Sequence, residues 1–213
     1  MKEILKNIDE SIDHMVELGK ETTKFTPLCA YDLFCSIIIV RYVKILRGFT
    51  GLMRHNNYVS ALPLVKALLD LLLQLYASTL VSYSVDEFAK RVFKGRQIRY
   101  MRDTHGRLLQ KKYLLKNISK IEGLGWISAV NDKEYSCIHY SDYVFNRSVN
   151  SYLEDDKKVI DFILTGDEFV PNAEKIELSI KVNRITKNIV NLIASYRAQR
   201  EGCCKPTDNI IVV

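Results

Sequence analysis

The chain has only four histidines, His14, His55, His105 and His139, so few side chains are available for imidazole proton transfer. His139 has the richest surroundings, within Tyr135-Ser136-Cys137-Ile138-His139-Tyr140-Ser141-Asp142-Tyr143. Asp142 follows it by three residues. On a helix that carboxylate can orient the imidazole and raise its basicity. An arginine beside such a histidine completes a metal-independent ribonuclease site: the guanidinium holds the phosphate while the imidazole moves the 2′-hydroxyl proton. Arg54 and Arg147 are the arginines that can converge on His139 across helices, and the three form the candidate catalytic set. The structural alternative has His139 hydrogen-bonded inside helix packing. It also has Arg54-His55 placing positive groups at the negative end of a helix dipole.

A second kind of chemistry follows from charge. Formal net charge is +6, yet Lys90–Lys120 holds eleven basic residues and a single acid, Asp103, while the remainder of the chain carries −4. A single-signed segment attracts phosphates through its summed field. Tyr100 stands between Arg99 and Arg102, and an aromatic ring among guanidinium groups suits the stacking of RNA bases. Arg96, Arg99, Tyr100, Arg102, Arg107, Lys111 and Lys112 are the candidate nucleic-acid-binding residues. The alternative is a solvated helix face laid against the acidic remainder.

Several reaction classes lack their motifs. There is no phosphate-binding GxxxxGK[ST] loop, no GxSxG nucleophile elbow and no CxxC pair among the five cysteines. The reading therefore assigns no metal and no cofactor, and treats the cysteines as reduced residues of a cytoplasmic protein. Met1–Lys20 mixes charges without a continuous apolar run, so no secretory signal is expected there.

The elements that must position these groups are mostly helical. Ile4, Leu5, Ile8, Ile12, Met15 and Val16 predict an amphipathic helix over 3–18. Thr26-Pro27 reads as the start of a long helix reaching about His55. Its β-branched run Ile37-Ile38-Ile39-Val40 suggests heavy burial, and Gly48 and Gly51 allow a bend or close helix contact. Val59–Val81 is apolar on almost every side, with Lys66 and Asp70 one turn apart and able to pair. Its length approaches a membrane span, but its charges, Gln74 and Pro63 favour the centre of a bundle. Ser84-Val-Asp-Glu87 has capping-box spacing for a short helix to Phe93. Gly95, Asp103 and Gly106 mark a loop, so the Arg99–His105 spacing falls on a turn. Leu108, Leu109, Tyr113, Leu114 and Ile118 define a further helix that Gly123-Leu124-Gly125 ends, 131–153 reads as irregular helix, and 159–164 as a short strand. Pro171-Asn172 opens a long final helix with Ile176, Leu178, Ile180, Val182, Ile185, Ile189, Ile193 and Tyr196 as inner positions.

Arg47-Gly48, Asn57-Tyr58-Val59-Ser60-Ala61-Leu62-Pro63-Leu64-Val65, Phe93-Lys94-Gly95, Thr104-His105-Gly106 and Ile138-His139-Tyr140-Ser141 together carry a likeness. Over about residues 30–145 the chain resembles a family of poorly characterised bacterial all-helical proteins. They share a tyrosine–alanine–leucine lead-in to a central helix and a late histidine–aromatic–serine element. Where such proteins usually carry an arginine in that helix, this chain has Lys66. At the level of fold the chain is also similar to helical-bundle defence toxins that cleave RNA, whose loose Arg–His signature Arg99 and His105 match. The resemblance implies a bacterial or mobile-element protein in phage defence.

The expected architecture is all-α: a helical bundle of two long central helices and a long C-terminal helix, with one short strand at most. Residues 1–200 form a single domain and 201–213 a tail. The expected function is interaction or regulation with RNA or another polyanion as partner. The alternatives are metal-independent ribonuclease action and a homo-oligomer built on the apolar helices and Ile210–Val213. A membrane partner is not expected.

Overall fold

The computed structural model describes residues 1–23, 28–128, 149–154, 157–162 and 170–199. Helices α1 (Lys2–Thr23), α2 (Ala30–Arg54), α3 (Tyr58–Ser78), α4 (Val85–Phe93), α5 (Lys111–Ile118) and α6 (Asn172–Gln199) dominate, with one small hairpin of β1 (Val149–Glu154) and β2 (Lys157–Phe162). The fold is an all-α helical bundle.

Four helices close a ring, α1 on α2, α2 on α3, α3 on α6 and α6 back on α1. Side-chain meetings set their directions. Asp9 pairs with Arg54 and Gly19 lies against Ile39, so α1 and α2 are antiparallel. Gly48 lies against Leu64 while Tyr31 reaches Ser78, so α2 and α3 are antiparallel too. A Cβ at Gly48 would stand 3.3 Å from Leu64 Cδ1, which explains the small residue at that crossing. Lys175 meets Asn56, Ser179 meets Met1 and Arg197 meets Glu21, so α6 runs parallel to both α1 and α3. Two adjacent parallel helices need a long crossover, and the chain between Thr79 and Pro171 supplies it. That crossover carries the basic segment.

The core follows the 3.6-residue period. Ile8, Met15, Ile38, Leu46, Leu62, Leu68, Leu69, Val182, Ile185 and Ile189 are fully enclosed. Ile180, expected inside, is exposed. Helix α3 is long and apolar enough to cross a membrane, but α2, α5 and α6 enclose it, which accounts for its apolarity. Asp70, expected to pair with Lys66, is engaged by Lys111 of α5 at 2.7 Å.

Other boundaries are set by contacts distant in the chain. Thr26-Pro27 falls outside the described residues. Helix α2 instead begins after Cys29, whose amide donates to Asp32 Oδ2 at 2.9 Å. Tyr196 Oη donates to Asp32 Oδ1 at 3.2 Å and lies 3.1 Å from Cys29 Sγ, so the end of α6 is fastened to the start of α2. Burial pushes the Cys35 thiol and the Tyr31 hydroxyl beneath this cluster well above their ordinary values. The strand expected at 159–164 is β2, and 149–153, expected as helix, belongs to its antiparallel partner, with Val149 opposite Phe162 and Glu154 opposite Lys157. A cross-strand ladder satisfies both backbones there, a pairing that local helical spacing does not register.

The run Ile37–Val40 shows the limit of reading burial from composition. Ile38 and Ile39 are buried, but Ile37 and Val40 face solvent. Successive helical residues step by 100°, so four in a row cannot all face the core.

Candidate nucleic-acid interface

Helix α4 brings the basic segment to the end of the bundle where α2 begins and α3 finishes. Ser84 caps it, its Oγ accepting from the Glu87 amide at 3.2 Å, as the capping-box spacing predicts. Phe88 packs edge-on to Phe34, and Asp86 accepts from the Tyr31 amide at 3.2 Å, so α4 also caps α2. Burial pushes the Asp86 carboxyl up, but the Lys90 ammonium and the Tyr31 and Ala30 amides outweigh it and hold it below the usual carboxylate range. Helix α4 stops at Lys94, and Gly95 turns the chain with φ of 84°, a conformation that glycine adopts without strain. A short 3-10 turn, Ile98–Tyr100, then leads into a tight loop.

Asp103 organises that loop. Its Oδ1 accepts from the amides of His105 at 2.9 Å and Arg107 at 2.7 Å, and its Oδ2 accepts from Tyr113 Oη. An isolated bridge joins Arg102 to Leu108, the Leu109 amide donates to Met101 O, and the Thr104 amide donates to Leu80 O at the end of α3. The only acid in the basic segment is therefore turned inward as a loop clasp. The cations around it are left facing outward.

Those cations converge on one open cavity of about 570 Å³, whose lining includes Arg91, Lys94, Arg96 and Arg102, Tyr83 and Tyr100, and Asp103 itself. Most of the guanidinium groups are pre-oriented. Arg96 donates to Tyr100 O at 3.2 Å and Arg102 to Gly106 O at 2.6 Å. Arg91 lies over the Tyr83 ring at 4.0 Å and donates to Glu87 at 2.7 Å. Arg99 lies over the Tyr100 ring at 4.8 Å, leaving Tyr100 half exposed. Lys94 makes no ion pair among the described residues. Chemically, the arrangement can hold phosphate oxygens on several cations and offer an aromatic face to a base.

No family model, curated protein or solved structure matches this chain.

Of the candidate binding residues, the fold brings Arg96, Tyr100 and Arg102 together at the cavity, with Arg99 against Tyr100. Arg107, Lys111 and Lys112 are not in its lining. Lys111 is drawn to Asp70. Arg91, Lys94 and Tyr83 join the site although the sequence reading did not select them. Arg91 and Lys94 are three apart at the end of α4, a spacing that puts both on one side.

The candidate catalytic set is not assembled among the described residues. Arg54 pairs with Asp9 at the far end of α2, about 35 Å along the helix from Tyr31. His139 and Arg147 lie outside the described residues. His55 Nδ1 lies 2.9 Å from Gly51 O at the helix end, the capping role expected from the dipole. His105 stands on the loop as its turn spacing predicts, with Nδ1 3.1 Å from Thr104 Oγ1. Among the described residues no three His, Cys, Asp or Glu side chains gather as a metal-holding group.

The clasp has a pH signature. The Tyr113 hydrogen bond, with those of the Arg107 and His105 amides, holds Asp103 below its ordinary value of 3.8. A depressed carboxylate stabilises the fold above its unfolded-state value and loses that contribution as pH falls through the folded one. Asp103→Asn therefore lowers the melting temperature at neutral pH, and the gap from wild type closes as pH drops below 3.8. Thermal unfolding followed by circular dichroism across that range checks this. An equal gap at every pH would mean that the charge does not hold the loop.

Proposed function

We propose that this chain is an RNA-binding protein of interaction or regulatory type, working inside a bacterial cell through the cavity at the end of α4. The observation that carries the proposal is the convergence of Arg91, Lys94, Arg96 and Arg102 with two tyrosine rings on one open cavity, whose one acid, Asp103, has both carboxylate oxygens engaged by hydrogen bonds. Single-stranded RNA suits the site best, because an exposed tyrosine ring stacks on unpaired bases and those of a duplex are already stacked. A place in phage defence is part of this proposal on the sequence likeness of residues 30–145 alone. For RNA cleavage there is no comparable observation among the described residues, where Arg54 is engaged by Asp9.

The test is a titration of labelled single-stranded RNA by fluorescence anisotropy at several salt concentrations. If three or four phosphates contact the cavity, log K falls against log salt with a slope of about −2 to −3. Binding that does not change with salt would overturn an electrostatic site.

A further inference from the structure

Six large apolar side chains are exposed among the described residues, and three of them meet at one place: Ile37 (49% exposed) and Val40 (52%) on α2, and Phe93 (46%) at the end of α4. With Leu33, Ser36 and Arg41 they line an open cleft of about 460 Å³ whose surface is almost entirely apolar. Leu33, Ile37 and Val40 follow one another at i, i+4 and i+7 along a single face of α2, and Lys44 continues that face one turn on. Neither Arg41 nor Lys44 makes an ion pair among the described residues, and both are exposed. The face thus passes from an apolar cleft to two exposed cations.

From this juxtaposition we infer that the α2–α4 cleft docks an acidic amphipathic helix of a partner protein. Apolar anchors of that helix, at i, i+3 or i+4 spacing, fill the space between Ile37, Val40 and Phe93. Its carboxylates lie over Arg41 and Lys44. Concavity argues against a lipid surface, because a cleft accepts a protruding side chain and a bilayer is met by residues that protrude into it. Charge argues against a second copy of this chain. A two-fold contact packs the patch on itself and brings the same cations together. The cleft is also lined by six residues, against roughly 20–30 a side in a standard interface.

The experiment uses the full chain and a labelled helical peptide with leucines at i, i+3, i+4 and i+7 and glutamates on its other faces. A scrambled peptide and a lysine counterpart serve as controls. Fluorescence anisotropy is expected to show saturable binding of the acidic peptide alone. Val40→Asp weakens it by about tenfold or more. The pair Arg41→Glu and Lys44→Glu weakens it similarly and admits the lysine peptide, a swap of preference that misfolding cannot produce. Because Val40 and Ile37 are half in solvent, Val40→Ser serves as the milder variant, with helicity checked by circular dichroism. Absence of saturable binding, or equal binding of the scrambled peptide, would overturn the inference. So would binding that appears only after removal of residues 201–213, which would give the cleft to the chain's own tail. Self-association, or sedimentation with phosphatidylserine vesicles, that is lost in Val40→Asp would assign it to a second copy or a membrane instead.

Discussion

Reversing two charges at the cavity, Arg96→Glu with Arg102→Glu, is expected to weaken single-stranded RNA binding by about a hundredfold or more at moderate salt. Both side chains line the cavity, and both are exposed, so the change leaves the core intact. Among the described residues each is held only by a carbonyl, Tyr100 O for Arg96 and Gly106 O for Arg102, and neither makes an ion pair there. The loss has two sources, the attraction removed and the repulsion introduced, and it should shrink as salt rises. Arg41→Glu with Lys44→Glu changes net charge by the same amount on a different face. If that control loses as much affinity, binding follows total charge and the cavity is not the site. Lys111→Ala should matter little, because its ammonium is committed to Asp70.

The second large effect is on stability. Leu68→Ala is expected to cost about 3–5 kcal/mol, the range for leucine truncation at a closed site that cannot collapse. Leu68 has no solvent exposure, and its helix is enclosed by α2, α5 and α6. Ile37→Ala removes comparable apolar volume from a half-exposed site and should cost less than about 1 kcal/mol. Denaturant unfolding of the two variants against wild type measures the difference. A small effect at Leu68 would contradict α3 as the centre of the bundle and reopen a lipid-facing role for it.

Much of the scaffold is legible from local rules. The Ser84 cap, the Pro171-Asn172 start and the all-round apolarity of α3 each depend on residues within a turn or two of one another. What escapes those rules is non-local. The start of α2 is set by Asp32 and by Tyr196, which lies 164 residues away in the chain. Ile37 and Val40 look like core by type and fall outside it by phase. The basic segment was visible as charge, but its useful subset was not. Whether Arg102 or Lys111 joins the cavity depends on the turn at Gly95, the clasp of Asp103 on Tyr113, and the pull of Asp70 from α3. Asp103 marks a loop in the sequence, but its type and position do not show what it holds there. Only its three hydrogen-bond partners reveal it as the residue that shapes the loop.

Amide hydrogen exchange of the full chain, with and without a single-stranded oligouridylate, tests the central claim most directly. Added RNA should slow exchange in peptides covering Lys94–Arg107 and leave α1 and the middle of α6 unchanged. Protection confined to another surface, with these peptides unaffected at saturating RNA, would contradict the assignment of the cavity as the binding site.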